Sequence, residues 1–274
     1  MKYFSEFWGE LVGTFILVFL GCGAVAVSVL FSSHFGLFQV AAIWGIGVTL
    51  AIYATRHLSC AHLNPAVSVA MVTGGRMSIR RLPAYVAAQF AGAFMAAAVL
   101  YMLFSASIAR YEKGHGIVRG KPASVSTAMI FADFYPNPGA GPAAAVTPLN
   151  AFLAESGGTF LLVFLIFALT EGCNLGRPGE PLSPLFIGVT VTVIICIIAP
   201  LTQAGLNPAR DFSPRIFATL EGWADVAFPA GRYDFLTVYI AGPLSGGIGA
   251  SLLFTRLLQP LMQKKATEKN CKCD

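Results

Sequence analysis

Six stretches of this 274-residue chain are long, apolar and free of charge: Leu11–Phe31, Phe35–Thr55, Leu82–Ala109, Ser156–Thr170 with its extension back to Leu149 across Glu155, Pro181–Ala209 and Phe235–Thr255. A helix rising 1.5 Å per residue needs about 20 residues to cross a hydrocarbon core of roughly 30 Å. Each stretch is therefore read as a transmembrane helix. The balance of residue types agrees, with 56% hydrophobic and 11% charged, where an average soluble domain carries roughly a quarter charged. The first stretch is too long for a signal-peptide core and lacks a strongly basic start, so it is expected to remain in the mature chain.

Lysine and arginine set the expected orientation. With a cytoplasmic N-terminus, eleven of them, including Lys2, Arg56, Arg76, Arg177, Lys269 and Lys272, fall on the inner side and six on the outer, among them Arg119 and Arg232. Both termini are thus expected in the cytoplasm. The net charge of +5 reflects this asymmetry and a lysine-rich tail, read as a solvated, lipid-attracted end and not as a nucleic-acid site. The six cysteines do not form a secreted disulfide pattern. Cys22 and Cys196 lie in apolar windows, Cys60 and Cys173 on inner connections, and Cys271 and Cys273 in the tail are too few to argue a metal or a lipid.

The chain is also duplicated. "GELVGTFILVF" from Gly9 matches "AESGGTFLLVF" from Ala154 and aligns Glu10 with Glu155; "HLNPAV" matches "GLNPAR"; "YVAAQFAG" from Tyr85 matches "YIAGPLSG" from Tyr239. The Glu-to-Asn separation is 54 residues in one copy and 52 in the other. The chain reads as one membrane domain, with repeats at about 1–109 and 149–260, a connecting loop at 110–148 and a tail at 261–274. Three crossings per repeat is an odd number, so the second copy enters from the opposite side. Inverted repeats of this kind are a transport architecture.

In each repeat a segment between the second and third crossings cannot span. The eleven residues from Asn64 to Gly74 make about 16 Å of helix, half the hydrocarbon thickness. The preceding "RHLSCAH" is polar and expected to be irregular, so its backbone belongs in a protein-enclosed cavity. In Asn64-Pro65-Ala66 and Asn207-Pro208-Ala209, Asn is a good N-cap and Pro fits the first helical position, where its missing N–H costs nothing. Two half-helices are thus expected to enter from opposite faces and meet tip to tip. The fold class is all-α integral membrane: six transmembrane helices plus two re-entrant half-helices in an inverted repeat.

Each helix tip behaves like roughly half a positive charge, so cations and protons are disfavoured where two meet. A neutral hydrogen-bonding solute is favoured, taking N–H groups from Asn64 and Asn207. Carbonyls around Cys60, Ala61 and His62, and around Thr202, Gln203 and Gly205, are expected to supply acceptors along the path. Three residues past each Asn the copies differ, with Val67 in one and Arg210 in the other. An Arg at that depth costs several kcal/mol unless it meets water or acceptors, and is read as pore-lining. Asp211 and Arg215 stand at i, i+4 and read as a structural pair. Glu10 and Glu155, one per repeat, suit a scaffold accepting bonds from the irregular backbone better than an asymmetric proton relay. Small residues such as Gly9/Gly13, Ala88/Gly92 and Gly242/Gly246 read as close helix packing.

The loops "SCAHLNPAVSVA" and "GLNPARDFSPR" resemble the two signature loops of the aquaporin and aquaglyceroporin channels, and the likeness covers essentially the whole chain. The resemblance implies a right-handed bundle assembled as a homotetramer in the cell membrane, surrounded by lipid, with one pore per subunit, no catalysis, no cofactor and no metal. Asp211, Arg215, Pro243 and Leu244, with "IWGIGVTLAIY", are similar to the glycerol-facilitator branch, which places Trp44 at the constriction with Ile195, Ala204 and Arg210. Facilitators carry Gly and Phe where Ile195 and Ala204 stand, and the resulting set is similar to plant nodulin-type channels, which pass glycerol. Cys60 replaces the Gly that the family usually has before Ala-His.

The resulting expectation is a passive channel for glycerol and other small neutral solutes, urea and ammonia among the candidates, with some water, excluding ions and protons. A water-selective channel is the alternative. A coupled carrier is less well supported, because it needs a titratable or ion-coordinating midplane site and the inferred path has Asn instead. An enzyme would need convergent catalytic groups, and Cys60 with His62 lacks a third partner.

Overall fold

The computed structural model describes residues 3–33, 36–141, 145–228 and 234–270. Lys2, Arg232, Cys271, Lys272 and Cys273, and the side chain of Lys269, lie outside the described residues. Six helices are long and apolar enough to cross a membrane: α1 Phe4–Phe31, α2 Leu37–Ser59, α4 Leu82–Gly114, α5 Pro148–Thr170, α6 Ser183–Thr202 and α8 Leu236–Thr267. Between them lie two helices too short to span, α3 Pro65–Thr73 and α7 Pro208–Ala218, besides single helical turns such as Val125–Ala128. No strand occurs among the described residues.

The helices outrun the apolar windows at several ends. α1 begins at Phe4, seven residues before Leu11, so Glu10 sits inside it, fully buried. α2 continues through Arg56 and His57 to Ser59, so the irregular stretch expected from Arg56 onward is only Cys60–Leu63. The reason is local: Arg56 and His57 fall in the last turn, where cations favour the negative end of the helix dipole, and Arg56 is tied to the Glu180 carbonyl at 3.3 Å. Within the Pro181–Ala209 window the chain leaves the helix at Gln203 in a left-handed conformation and re-enters it at Pro208.

Packing follows the duplication. α1 packs on α2 and α4, α5 packs on α6 and α8, and α2 against α6 joins the halves. Each short helix packs on the last span of the opposite half, α3 on α8 and α7 on α4. At the central joint, a Cβ on Gly45 would strike the Gly188 carbonyl and a Cβ on Gly188 would strike that of Gly45, so only glycine permits this approach.

Candidate functional site

Both short helices are built by the same local code. Asn64 Oδ1 caps α3 by accepting from the Ala66 N–H at 2.8 Å, and Asn207 Oδ1 caps α7 by accepting from Ala209 at 3.0 Å and Arg210 at 3.2 Å. Pro65 and Pro208 occupy the first helical position, where no N–H is missed. The two amides then bond across the molecule. Asn64 Nδ2 donates to the Leu206 carbonyl at 2.9 Å, and Asn207 Nδ2 donates to the Leu63 carbonyl at 2.8 Å. The helix tips therefore meet, and since a primary amide carries two N–H donors, each Asn has one left after its cross-molecule bond.

The loops that feed the tips hold non-glycine residues at positive φ: Cys60, Ala61 and Leu63 in one, Gln203, Ala204 and Leu206 in the other. Cys60, standing where the family resemblance places Gly, has φ 71°. Left-handed backbone costs about 1–2 kcal/mol per such residue, so something must hold it. Glu10 does so in the first half, accepting from the N–H groups of His62 at 2.9 Å and Leu63 at 2.7 Å, the Ser59 hydroxyl at 2.8 Å and the Gln89 amide at 2.8 Å. In the second half Glu155 accepts from the N–H groups of Gly205 at 2.9 Å and Leu206 at 2.7 Å and the Thr202 hydroxyl at 2.6 Å. Both carboxylates are fully buried.

A cavity of about 520 Å³ runs beside the two tips and is lined by Asn64 and Asn207. Trp44, Val48, Ile52 and Arg56 line it from α2, and Ile195, Val191, Ile187 and Ser183 from α6. Spacing by four residues puts each set on one helix face, and twelve residues of rise make the stripe about 18 Å long. The loop residues Cys60–Leu63 and Ala204–Leu206 line the cavity as well. Thr202 and Gln203, expected among the pore-lining acceptors, do not line this cavity. The Thr202 carbonyl accepts from the Tyr239 hydroxyl at 3.0 Å, and the Gln203 side chain accepts from the Phe134 N–H at 2.9 Å.

Trp44, Ile195, Ala204 and Arg210, the set expected at the constriction, all line the cavity and are all buried. The Arg210 guanidinium lies 4.4 Å from the Trp44 ring centroid, an aromatic–cation contact. Trp44 has room only because Gly21 faces it; a Cβ there would meet the indole. The far end opens between Arg56, His57, Arg76, Arg177 and Glu180. Arg76 is fixed there by Glu171 at 2.7 Å and by stacking on Phe167 at 4.0 Å. Among the described residues, no group of three or more His, Cys, Asp or Glu is arranged to hold a metal ion.

Asp211 and Arg215 form the expected i, i+4 pair, with contacts of 2.7 and 3.1 Å, and both are fully buried. The residue that sequence reasoning missed is Asp133. It lies in the loop after α4, is fully buried, and its carboxylate pairs with Arg210. The available signal was a lone acid inside the apolar run "AMIFADFY", in a segment that has no counterpart in the first half.

A model of the family described as "Major intrinsic protein" matches residues 1–254. The glycerol uptake facilitator protein of Pseudomonas aeruginosa is 41% identical over 244 residues, covering 89% of this chain and 85% of the relative. That of Escherichia coli strain K12 is 40% identical over 250 residues, covering 91% and 86%. Among solved structures, the aquaglyceroporin from Plasmodium falciparum superposes with a TM-score of 0.82 at 24% identity, covering 96% of this chain and 99% of that one.

Proposed function

This chain belongs to the major intrinsic protein family, and from that premise we propose that it is a passive transmembrane channel for glycerol and other small neutral solutes, with some water, that excludes ions and protons. The observation that carries the reading is the pair of reciprocal Asn bonds at 2.9 and 2.8 Å beside a cavity lined by both amides. It is a channel and not an enzyme.

The mechanism follows from the two walls. A polyol is oily on its alkyl face and polar on its hydroxyl face. Val48, Ile52, Ile187 and Val191 offer the first a dry surface, and the backbone of the two feeder loops offers the second acceptors. At the tips the remaining N–H of Asn64 and of Asn207 donates to a passing oxygen. A water held by both amides has its lone pairs engaged, which interrupts a proton wire, and the converging helix dipoles oppose a cation. At the constriction Arg210 donates to hydroxyls while Trp44 and Ile195 pack the alkyl face. Glu10 and Glu155 act as scaffold for the feeder loops and not as a proton relay. Among the described residues Glu180, at the mouth, is the one carboxylate lining the cavity, so a coupled carrier would find no carboxylate beside the two asparagines.

We read the whole chain as one channel domain of two inverted repeats, 1–109 and 149–260, with both termini in the cytoplasm. Exposed apolar side chains such as Phe38, Ile46, Met102, Leu153 and Ile197 fit a surface covered by lipid and by three further copies in a homotetramer. Stopped-flow light scattering on proteoliposomes tests the solute assignment by comparing glycerol, urea and ammonia entry with osmotic water flow. Glycerol entry well above that of protein-free vesicles is expected. Water flow without glycerol entry would instead make the channel water-selective.

A further inference from the structure

Resting on that channel reading, we propose that Asp133 is a specificity-determining residue of the constriction: a buried counterion that cancels the charge of Arg210. The constriction then presents a neutral hydrogen-bond donor and not a fixed cation.

Four charged side chains gather here, Asp133, Arg210, Asp211 and Arg215, all buried. They pair two by two. Asp211 is committed to Arg215, which contacts it through Nε at 3.1 Å and Nη2 at 2.7 Å. This leaves Asp133 as the acceptor for Arg210 Nη1. The Asp211–Arg215 pair also grips the backbone of Asp133 from both sides, since Asp211 accepts from its N–H at 2.8 Å and Arg215 donates to its carbonyl. The next N–H, of Phe134, donates to Gln203 in the loop that feeds α7. Asp133 is thus held in place by the structure that surrounds the constriction.

The carboxylate is used differently from those of Glu10 and Glu155. Both oxygens of each glutamate accept bonds from the fold. Asp133 Oδ1 is buried with no hydrogen-bond partner. A group kept only for its hydrogen bonds would not leave half its acceptors idle, whereas a counterion needs only its charge. The electrostatics require one. Each half-helix tip contributes roughly half a positive charge, and an uncompensated Arg210 would add a full one. The sum would attract small anions into the path of a neutral solute. With Asp133 ionised, the Arg210 contribution is cancelled.

A charge cycle on the full-length protein in proteoliposomes tests this, using nitrate as the anion probe and reading both glycerol entry and osmotic water flow. Wild-type flow is expected to be indifferent to nitrate. In Asp133→Asn, which keeps an acceptor but loses the charge, nitrate slows flow severalfold, and replacing nitrate with bulky gluconate restores it. Arg210→Gln unmasks the carboxylate instead and admits a potassium or proton leak. The double variant shows neither effect. Should Asp133→Asn fail to reach the vesicles, Asp133→Ser carries the same test, and the leak of Arg210→Gln with its loss in the double variant tests the other half of the cycle. Nitrate indifference in the single Asp133 variant, or a block that persists in the double variant, overturns the proposal. Because water flow reports as well as glycerol, a wrong solute assignment leaves the cycle readable.

Discussion

The loops that feed α3 and α7 trace the same backbone and share Ala and Leu, while Cys60 and His62 of the first stand against Gln203 and Gly205 of the second. Cys60, Ala61 and Leu63 have φ of 71, 50 and 56°, and Gln203, Ala204 and Leu206 have 63, 62 and 54°. A tyrosine hydroxyl closes each loop, Tyr85 on the Ser59 carbonyl and Tyr239 on that of Thr202. Past the asparagines the likeness stops. α3 carries no charged residue, whereas α7 carries Arg210, Asp211 and Arg215, all buried. The duplicated parts build both asparagine tips beside the cavity, and of the two half-helices the second alone carries charged side chains. The long loop between the halves delivers Asp133 to Arg210.

Removing the scaffold carboxylates should break both halves, and unequally. Glu10 accepts four hydrogen bonds and Glu155 three, and each buried donor left unpaired costs about 1–3 kcal/mol. Glu10→Ala and Glu155→Ala are both expected to abolish most folded protein, with Glu10→Ala the worse. Yield and thermal melting of detergent-solubilised protein check this. Equal melting temperatures would mean that the Gln89 bond, present only in the first half, contributes nothing.

The asparagines should separate the halves by a smaller step. Losing an N-cap costs about 0.5–2 kcal/mol. Asn207 caps two N–H groups where Asn64 caps one, so Asn207→Ala should destabilise by about 1 kcal/mol more than Asn64→Ala. Both should lower glycerol flux per folded channel, because each also removes a donor from the path. Identical melting shifts would show that the second cap bond is not energetically distinct.

The repeat offset that pairs Asn64 with Asn207 also pairs Ile52 with Ile195. Both line the cavity, but the proposed constriction takes Ile195, with Trp44 and Arg210, and not Ile52. Ile195→Gly should raise glycerol flux severalfold and Ile52→Gly much less, each corrected for the roughly 1 kcal/mol that glycine costs a helix. Unchanged flux in folded Ile195→Gly would remove Ile195 from the constriction.

Much of this geometry was legible because it rests on residue types at repeated spacings. The six spans, the two Asn-Pro-Ala caps and the Glu pair all announce themselves that way. Four things were not. Leu63 and Leu206 matter through their carbonyls, which every residue possesses. The cavity-lining stripes on α2 and α6 vanish into helices that are apolar all round, where no periodicity marks the inner face. Asp133 acts through a fold of the connecting loop, and neither helix period nor repeat reaches it. The early start of α1 was obscured by Glu10, whose charge ended the apolar window although its bonds allow the helix to carry it inside.

The account turns on passive movement of uncharged molecules past the joined tips. The direct test is glycerol entry into proteoliposomes whose membrane potential and proton gradient are set independently. The rate should be proportional to the glycerol gradient, stop at equal concentrations and ignore both electrical and proton driving forces. Accumulation above the outside concentration, or a rate that follows the imposed potential, would contradict it.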